Sequence, residues 1–351
     1  MVVASPMPPA WWIPGAHLQT AWARIARSRR LVTFDREVLT TPDDDELVLD
    51  HAAGPAGSPR VLLLHGLEGS AYSLHTQGLA LLVARAGWRG TVLNFRSCAR
   101  DPAQIRRRLR NRQPRLYHSG ETDDLGLVVR TLVAREPDVP LFAIGFSLGG
   151  NVLLKWLGET GAASPIRAAA VISVPYDLAA ASRFLERPAG RIYVKHFMRR
   201  VRSKGVEVLA RFPGQTRHID RERVRSARTL WQFDDALTAP LHGFDDAADY
   251  YRKASSLDYL RRISVPTLCI NAVDDPFFPA EAVARARAAA SSQVIFEVTD
   301  WGGHVGFVAG RWPWRARYWA EERSIDWLAS PDPRRSWDEK SRPPGANIVG
   351  P

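Results

Sequence analysis

The chain has 351 residues, enough to bury a large core, and its 45% hydrophobic content with 12 tryptophans excludes general disorder. No apolar run approaches the roughly 20 residues that a membrane-spanning helix needs, and the first ten residues lack the pattern of a secretory signal. Two cysteines, Cys98 and Cys269, indicate neither a disulfide framework nor a metal site. We therefore expect a cytoplasmic protein that needs no metal or other cofactor.

The net charge of +11 is concentrated in one segment. From Arg183 to Arg228 there are 14 lysines and arginines against four acidic residues, a net of +10 in 46 residues. The arginine runs lack the interleaved aromatic residues and the motif of a nucleic-acid reader, so no nucleic-acid partner is expected. Two interpretations remain open. The segment is either a solvated helical face or a surface that brings the protein to anionic membranes or acidic substrates.

The chain divides into five segments. Residues 1–30 form a Pro- and Trp-rich arm, which is expected to pack over the core in preference to lying at a membrane interface. Apolar strands alternate with helical segments over 31–177 and again over 261–330. Residues 178–260 contain no convincing strand and predict a basic helical cap, and the Pro/Arg/Ser-rich residues 331–351 predict a flexible tail. This alternation predicts an α/β fold with a mostly parallel sheet flanked by helices.

The individual elements follow from apolar runs and their flanking turns. Strands are predicted over 31–38, 47–50, 61–64, 90–96, 168–174, 266–273 and 294–298, with one more beginning at Leu141. Helices are predicted over 71–86, 122–135, 151–157, 280–290 and 314–328.

The stretch Gly145-Phe-Ser147-Leu-Gly149 lies between an apolar strand and an apolar helical run. This context is typical of a nucleophile elbow, a strained strand-to-helix turn that exposes a serine hydroxyl at the sheet edge. The flanking glycines fit because the turn leaves no room for a Cβ atom near the serine. Ser147 is therefore the candidate nucleophile, and the alternative is a Gly-rich connector.

A carboxylate and a histidine follow Ser147 in the chain order of an α/β-hydrolase. The strand ending at Val273 is followed by Asp274 and Asp275, and His304 lies in a Gly-rich loop after the last strand. Each alone is better explained as an ordinary turn or loop residue, but three in this order make coincidence unlikely. Asp275 is preferred over its neighbour because it precedes Pro279 by four residues, a spacing associated with this carboxylate.

Ester chemistry also needs two backbone donors for the oxyanion. The N–H of Leu148 follows the candidate nucleophile at a helix N-terminus. The second donor is assigned to the N–H of Leu67, in the glycine-containing loop 65–70 after the strand 61–64. His65 is expected to brace this loop, since His304 already fills the role of the base.

The sequence resembles the YheT-like branch of the α/β-hydrolase superfamily, which includes ABHD-type monoacylglycerol lipases and yeast ethanol acyltransferase/esterases. The motifs that carry the resemblance lie at 65–70, 94–96, 117–124, 145–151, 271–277 and 302–307. It implies a Ser147/Asp275/His304 charge relay that hydrolyses carboxylic esters, with medium-chain or monoacyl lipids as substrates. Ser97 departs from the pattern, because a glycine is expected after Arg96.

Residues 118–123 also match His-x-x-x-x-Asp, a pattern linked with acyl transfer in some relatives. Helix capping by Thr122 and the aspartates after it is the preferred explanation. The function predicted is thus a serine carboxylic-ester hydrolase that works through an acyl-enzyme. An acyltransferase or thioesterase with the same triad is the alternative, and a binding protein with a degenerate hydrolase fold is disfavoured by the intact triad. The oligomeric state is left open.

Overall fold

The computed structural model describes residues 2–4 and 7–331. Nine strands of the described chain form one sheet, in the order β1-β9-β8-β7-β6-β4-β5-β3-β2. All neighbours are parallel except β5-β3 and β3-β2. Their bounds are β1 Val2–Ala4, β2 Asp35–Thr40, β3 Glu46–Ala52, β4 Arg60–Leu64, β5 Arg89–Asn94, β6 Leu141–Phe146, β7 Ile166–Ile172, β8 Thr267–Ala272 and β9 Val294–Thr299.

Helices cover both faces of the sheet and fill the gap between β7 and β8. Twelve α-helices lie within the described residues: α1 Ala16–Ala26, α2 Leu74–Arg85, α3 Thr122–Arg135, α4 Leu148–Thr160, α5 Leu178–Leu185, α6 Arg191–Arg211, α7 Arg221–Ser226, α8 Leu230–Phe233, α9 Ala239–His242, α10 Ala247–Ala254, α11 Ala280–Ala289 and α12 Trp319–Ala329. A π-helix, Asp234–Thr238, joins α8 to α9.

The parallel strands are apolar along almost their whole length, because helices pack on both of their faces. β4, β6 and β7 are built of residues such as Leu63, Ile144 and Val171, all fully buried. Two apolar clusters result, one on each side of the sheet. The predicted fold class, a mostly parallel sheet flanked by helices, is confirmed.

Some predicted bounds are wrong. The first predicted strand, 31–38, begins only at Asp35 and runs to Thr40. The closing helix begins at Trp319 and not at residue 314, because a 3-10 turn and a short strand, β11 Arg317–Tyr318, come first. β11 pairs antiparallel with β10 Val308–Ala309, a pairing with no local sequence signal.

The N-terminal arm contributes more than loose packing. β1 joins the sheet beside β9, and α1 packs against the loops that follow β9. Gln19 of α1 is buried, and its side-chain amide donates to Val308 O at 3.2 Å while its carbonyl accepts from Val308 N at 2.7 Å. The arm therefore supports the edge of the sheet formed by the carboxyl ends of its parallel strands, where the candidate site lies.

The predicted strand-free segment 178–260 is helical in the structure, with α5 to α10 and a 3-10 turn, Leu257–Arg262. Its apolar side chains, including Met198, Val208 and Leu237, belong to the same buried cluster as the sheet and α4. Apart from residue 331, the predicted tail lies outside the described residues. Over the described residues, no helix combines the length and apolarity needed to span a bilayer.

Candidate active site

Ser147 lies between the end of β6 and the start of α4 in a strained backbone conformation, φ 49° and ψ −116°. Its N–H donates to Ile172 O at 2.8 Å, which ties the turn to the neighbouring strand β7. The glycines are sterically required. A Cβ on Gly145 would lie 2.7 Å from Gly149 O, and one on Gly149 would lie 2.5 Å from His65 O. The turn predicted from the motif is present.

The three predicted side chains form one hydrogen-bonded chain. His304 Nε2 lies 2.9 Å from Ser147 Oγ, and His304 Nδ1 lies 2.9 Å from Asp275 Oδ2. Because a carboxylate only accepts, the imidazole proton lies on Nδ1 and Nε2 accepts from the serine hydroxyl. In this arrangement the imidazole can take the serine proton without moving.

Asp274 and Asp275 point in different directions. Asp275 is buried and accepts from both His304 and the N–H of Phe277, whereas Asp274 accepts from the N–H of Gly303 at 2.8 Å. Burial raises the pKa of the Asp275 carboxyl, and the hydrogen bonds from His304 oppose that rise. Asp275 is thus placed to orient the imidazole, and Asp274 to shape the histidine loop.

The histidine loop is held from several sides. The N–H of His304 donates to Thr20 Oγ1 of α1 at 2.9 Å, and the N–H of Val305 donates to Ser173 Oγ at 3.0 Å. The Phe277 ring stacks on the imidazole with ring centroids 3.8 Å apart. Sequence reasoning missed Thr20 and Ser173 because neither lies in a motif. Phe277 lies two residues after Asp275, within the motif 271–277, which is a signal that could have found it.

The loop after β4 lies against the elbow. A Cβ on Gly66 would lie 3.5 Å from the Cβ of Ser147, an ordinary van der Waals distance, so the loop runs directly beside the elbow. Leu67 and Leu148 line the same cavity as Ser147. Leu148 is the first residue of α4, where amide groups have no partner within the helix. The two residues predicted to supply the oxyanion donors therefore line the cavity that contains Ser147.

His65 is fully buried and supports this loop. Its Nε2 accepts from the N–H of Phe95 at 3.2 Å, so its Nδ1 carries the proton and donates to Gly66 O at 2.8 Å. Burial lowers the pKa of His65 to about 4, which keeps the ring neutral. The ring makes these contacts with its own loop and with the residue directly after β5, as a bracing residue would.

The same loop is joined to the helical segment by a buried ion pair. Lys204 of α6 donates to Glu68 Oε1 at 2.6 Å, and both side chains are 3% exposed. The Tyr117 hydroxyl also donates to Glu68 Oε1, at 3.1 Å. Burial would raise the pKa of Glu68, but Lys204 and Tyr117 outweigh it and lower that pKa. Sequence reasoning treated Lys204 only as one charge of a basic segment.

Ser97, which replaces the expected glycine, has φ 60° in the left-handed region. The loop therefore keeps the conformation that favours glycine, and the Ser97 N–H donates to Asn111 Oδ1. Arg96 is buried and forms ion pairs with Asp43, Asp45 and Asp124, each at 2.8 to 2.9 Å. These contacts hold the loop in place despite the departure.

The capping interpretation of residues 118–124 needs correction. The N-cap of α3 is Glu121 and not Thr122, which is the first helical residue and makes no capping hydrogen bond. Asp124 lies in the first turn of α3, and its buried carboxylate also forms an ion pair with Arg96. His118 lines the cavity, whereas the Asp123 side chain is 91% exposed. The two ends of the His-x-x-x-x-Asp pattern thus point apart.

A cavity of about 910 Å³ extends from Ser147 between the sheet edge and the helical segment. Its walls are mostly apolar, and α5 and α6 supply many of the side chains, such as Leu178, Leu185 and Val201. In the described part of the chain, no group of three or more His, Cys, Asp and Glu could hold a metal ion. Cys98 and Cys269 are both buried and free.

Comparisons with known proteins identify the family of the chain. Residues 59–310 match the family model described as the alpha/beta hydrolase fold. The chain is 37% identical over 317 residues to the Escherichia coli protein named "Putative esterase YheT", covering 90% of each chain. It is 30% identical to the Bos taurus protein named "Phospholipase ABHD3", covering 90% of this chain and 77% of that one.

Solved structures agree on the fold. The esterase Pf2001 of Pyrococcus furiosus has a TM-score of 0.50 and 18% identity, covering 87% of this chain and 90% of that one. At that identity the likeness concerns the fold alone, whereas the sequence relatives indicate the branch. The chain therefore belongs to the α/β-hydrolase fold family, in the YheT-like branch.

Proposed function

We propose that this protein hydrolyses carboxylic esters through Ser147, His304 and Asp275. The observation that carries the proposal is the hydrogen-bonded chain from Ser147 Oγ through His304 to Asp275, which opens on a large apolar cavity. The Escherichia coli relative is also named an esterase, in the words "Putative esterase YheT". A carboxylic ester hydrolase accounts for the geometry and for the relatives together.

In the acylation step, Ser147 Oγ attacks the ester carbonyl as its proton passes to His304 Nε2. The oxyanion that forms accepts hydrogen bonds from the N–H groups of Leu67 and Leu148. When the tetrahedral intermediate collapses, the imidazolium returns the proton to the leaving alcohol, and an acyl-serine remains. Water then attacks the acyl-serine, with His304 again taking and returning a proton. Asp275 stabilises the imidazolium in both steps.

Medium-chain or monoacyl lipid esters are the substrates that the cavity fits best. A volume of about 910 Å³ with mostly apolar walls can bury an acyl chain and exclude water from it. The bovine relative is named a phospholipase, which is also a lipid-ester activity. Residues 178–260, which form much of the wall, act in this proposal as a cap that selects the acyl chain.

Acyl transfer and thioester hydrolysis proceed through the same acyl-serine and differ only in the leaving group or the acceptor. The exposed Asp123 side chain gives no support to a separate transfer motif. Hydrolysis is therefore the proposed activity, and added alcohols or thioesters in the assay would reveal the alternatives.

The experiment is an activity profile over p-nitrophenyl esters from C2 to C16, with Ser147→Ala as the control. We expect turnover to peak at medium chain length and to disappear in the control. If the pure protein turned over no ester or thioester at all, the proposed enzymatic function would be wrong.

Contact with anionic membranes is a second part of the proposal. Leu18 of α1 and Ile192 of α6 line the cavity and are 53% and 72% exposed, and Arg24 and Arg200 lie among the lining residues. Exposed apolar side chains beside cations at a cavity mouth suit a lipid surface of negative charge. Part of the basic segment is used internally instead, since Lys204 is buried in its ion pair.

Sedimentation with vesicles at low salt tests this contact. We expect more protein on anionic than on neutral vesicles, and a smaller difference for a variant with Arg24→Gln and Arg200→Gln. Equal sedimentation with both vesicle types would remove membrane contact from the proposal and leave the esterase activity untouched.

A further inference from the structure

Two imidazole rings lie together in the wall of the cavity. His118, from the loop before α3, and His242, the last residue of α9, both line the cavity. Their ring centroids are 4.6 Å apart, and the rings of Phe244 and Tyr250 flank His118. The core and the cap thus each contribute one imidazole to the same place.

The two imidazoles are not saturated by protein partners. His118 Nδ1 accepts from the N–H of Gly120 at 3.1 Å, so its proton lies on Nε2, and the nearest carboxylate oxygen of Glu121 is 3.6 Å away. His242 Nε2 is buried and has no hydrogen-bond partner among the described residues. Such a buried polar atom is costly to leave unpaired, and a ligand group could satisfy it.

The helix that carries His242 has an unusual geometry. The π-helix Asp234–Thr238 runs directly into α9, and Asp234 and Thr238 both line the cavity. Insertions of this kind occur frequently at functional sites. The Asp234 carboxylate has a protein partner on each oxygen, since it accepts from the hydroxyls of Thr238 and Tyr251, each at 2.6 Å. His242 Nε2, in contrast, has no partner among the described residues.

The loop that carries His118 is fixed to the elbow helix. Asn151, one turn into α4, donates to Ser119 O at 2.9 Å and to Ala254 O at 2.8 Å. The N–H of Ser119 donates to the Tyr250 hydroxyl at 2.9 Å. Any group bound between His118 and His242 is thereby held at a set position relative to Ser147.

We propose that His118 and His242 form a polar subsite that binds an uncharged hydroxyl group of the ester substrate. The inference rests on the proposed esterase function and names the substrate class more closely, as esters that carry a free hydroxyl. A hydroxyl both donates and accepts, so it can meet one protonated and one bare ring nitrogen. Burial lowers the pKa of His242 to about 3 and that of His118 as well, so both rings are neutral. An anionic headgroup would find no counter-charge on them.

The hydroxyl could belong to the alcohol or to the acyl chain, and two substrate pairs distinguish these sources. The first pair is 1-monooctanoylglycerol and methyl octanoate, and the second is methyl 8-hydroxyoctanoate and methyl octanoate. We expect the wild-type protein to prefer the hydroxylated ester in one pair, with a ratio of kcat/KM values of about fivefold or more, as one neutral hydrogen bond would give.

The variants are His242→Phe, which removes the hydrogen bond, His242→Gln, which can restore it, and His218→Phe, the same change outside the cavity lining. We expect His242→Phe to lower kcat/KM for the hydroxylated ester more than for methyl octanoate and so to abolish the preference, whereas the other two variants keep it. Thermal unfolding should show that His242→Phe remains folded.

Two outcomes overturn the inference. One is a wild-type protein that turns over all these esters with no preference in either pair. The other is a preference that His242→Phe leaves unchanged. Failure of the esterase function itself would look different, since then no ester in either pair would be turned over by any variant.

Discussion

The two walls of the cavity hold their polar groups in different ways. On the wall formed by the sheet edge, His304 has partners on three sides, in Ser147, Asp275 and Thr20. On the wall formed by residues 178–260 the lining is mostly apolar, and His242 keeps a buried nitrogen without a described partner. In the proposed function, the sheet edge accordingly carries the chemistry, and the helical wall selects what is bound.

The largest effect should come from the sheet wall. Ser147→Ala removes the proposed nucleophile, and we expect kcat for p-nitrophenyl esters to fall by at least about 10³-fold, since no acyl-enzyme can form. Ser182→Ala is the matched change on the helical wall, and its effect should stay below about tenfold. Comparable losses in the two variants, both still folded, would break the distinction between the walls.

The next effect separates two neighbours on the sheet wall. Asp275→Asn replaces the carboxylate that fixes the imidazole tautomer, and we expect kcat to fall by about 10³- to 10⁴-fold. Asp274→Asn retains an oxygen that can accept from the Gly303 N–H, so it should lose less than about tenfold. Steady-state kinetics of both variants on one ester will show which of the two carboxylates orients the imidazole. A larger loss in Asp274→Asn would reverse the assignment of the carboxylate.

An ion pair crosses between the walls, and removing it tests how far they are independent. Lys204→Met leaves Glu68 buried and unpaired, which costs about 3–5 kcal/mol when one partner of such a pair is removed. Because Glu68 follows Leu67 directly, kcat should fall with little change in KM. Arg223→Met breaks a pair whose arginine side chain is 61% exposed, and it should cost less than about 1 kcal/mol.

Urea unfolding measures both variants, and adding Glu68→Gln to Lys204→Met should recover part of the lost stability, since the unpaired charge is then removed. Equal costs for the Lys204 and Arg223 variants would show that the buried pair does not link the walls.

The sheet wall could be predicted from the sequence far better than the helical wall. The elbow around Ser147 and the strands that end before Asp275 and His304 are signalled by local runs of residues, and chain order completes the pattern. Pairings over long sequence distances carry no such signal. Thr20 contacts the His304 loop across 284 residues, and Lys204 contacts Glu68 across 136.

The net charge of the helical wall could not show which cations are exposed. Lys204 is buried in an ion pair, whereas Arg200 is exposed. The N-cap of α3 lies one residue earlier than predicted, at Glu121, although the aspartates do lie in the first turn. The pairing of Asp124 with Arg96 is a tertiary contact that the local sequence does not signal.

The smallest expected effect concerns the pKa values of two carboxyl groups, one in each part of the molecule. In the turn between β2 and β3, burial alone would raise the pKa of Asp43, but hydrogen bonds from Arg96 and Thr41 lower it to about 2. On the helical wall, burial raises the pKa of Asp234 to about 6, against hydrogen bonds from Thr238 and Tyr251. Asp43 therefore stabilises the fold above about pH 4 and loses this effect as the pH falls toward 2.

Asp234 has the opposite sign, since its deprotonation in a buried position destabilises the fold as the pH rises from about 4 through 6. We expect Asp234→Asn to raise the melting temperature at pH 8 and to leave it nearly unchanged at pH 3.5. Asp43→Asn should lower it at pH 7, with the difference vanishing near pH 2. Melting temperatures of the three proteins across this range provide the measurement. A pH-independent effect of Asp234→Asn would mean that ionisation of Asp234 does not destabilise the fold, contrary to its raised pKa.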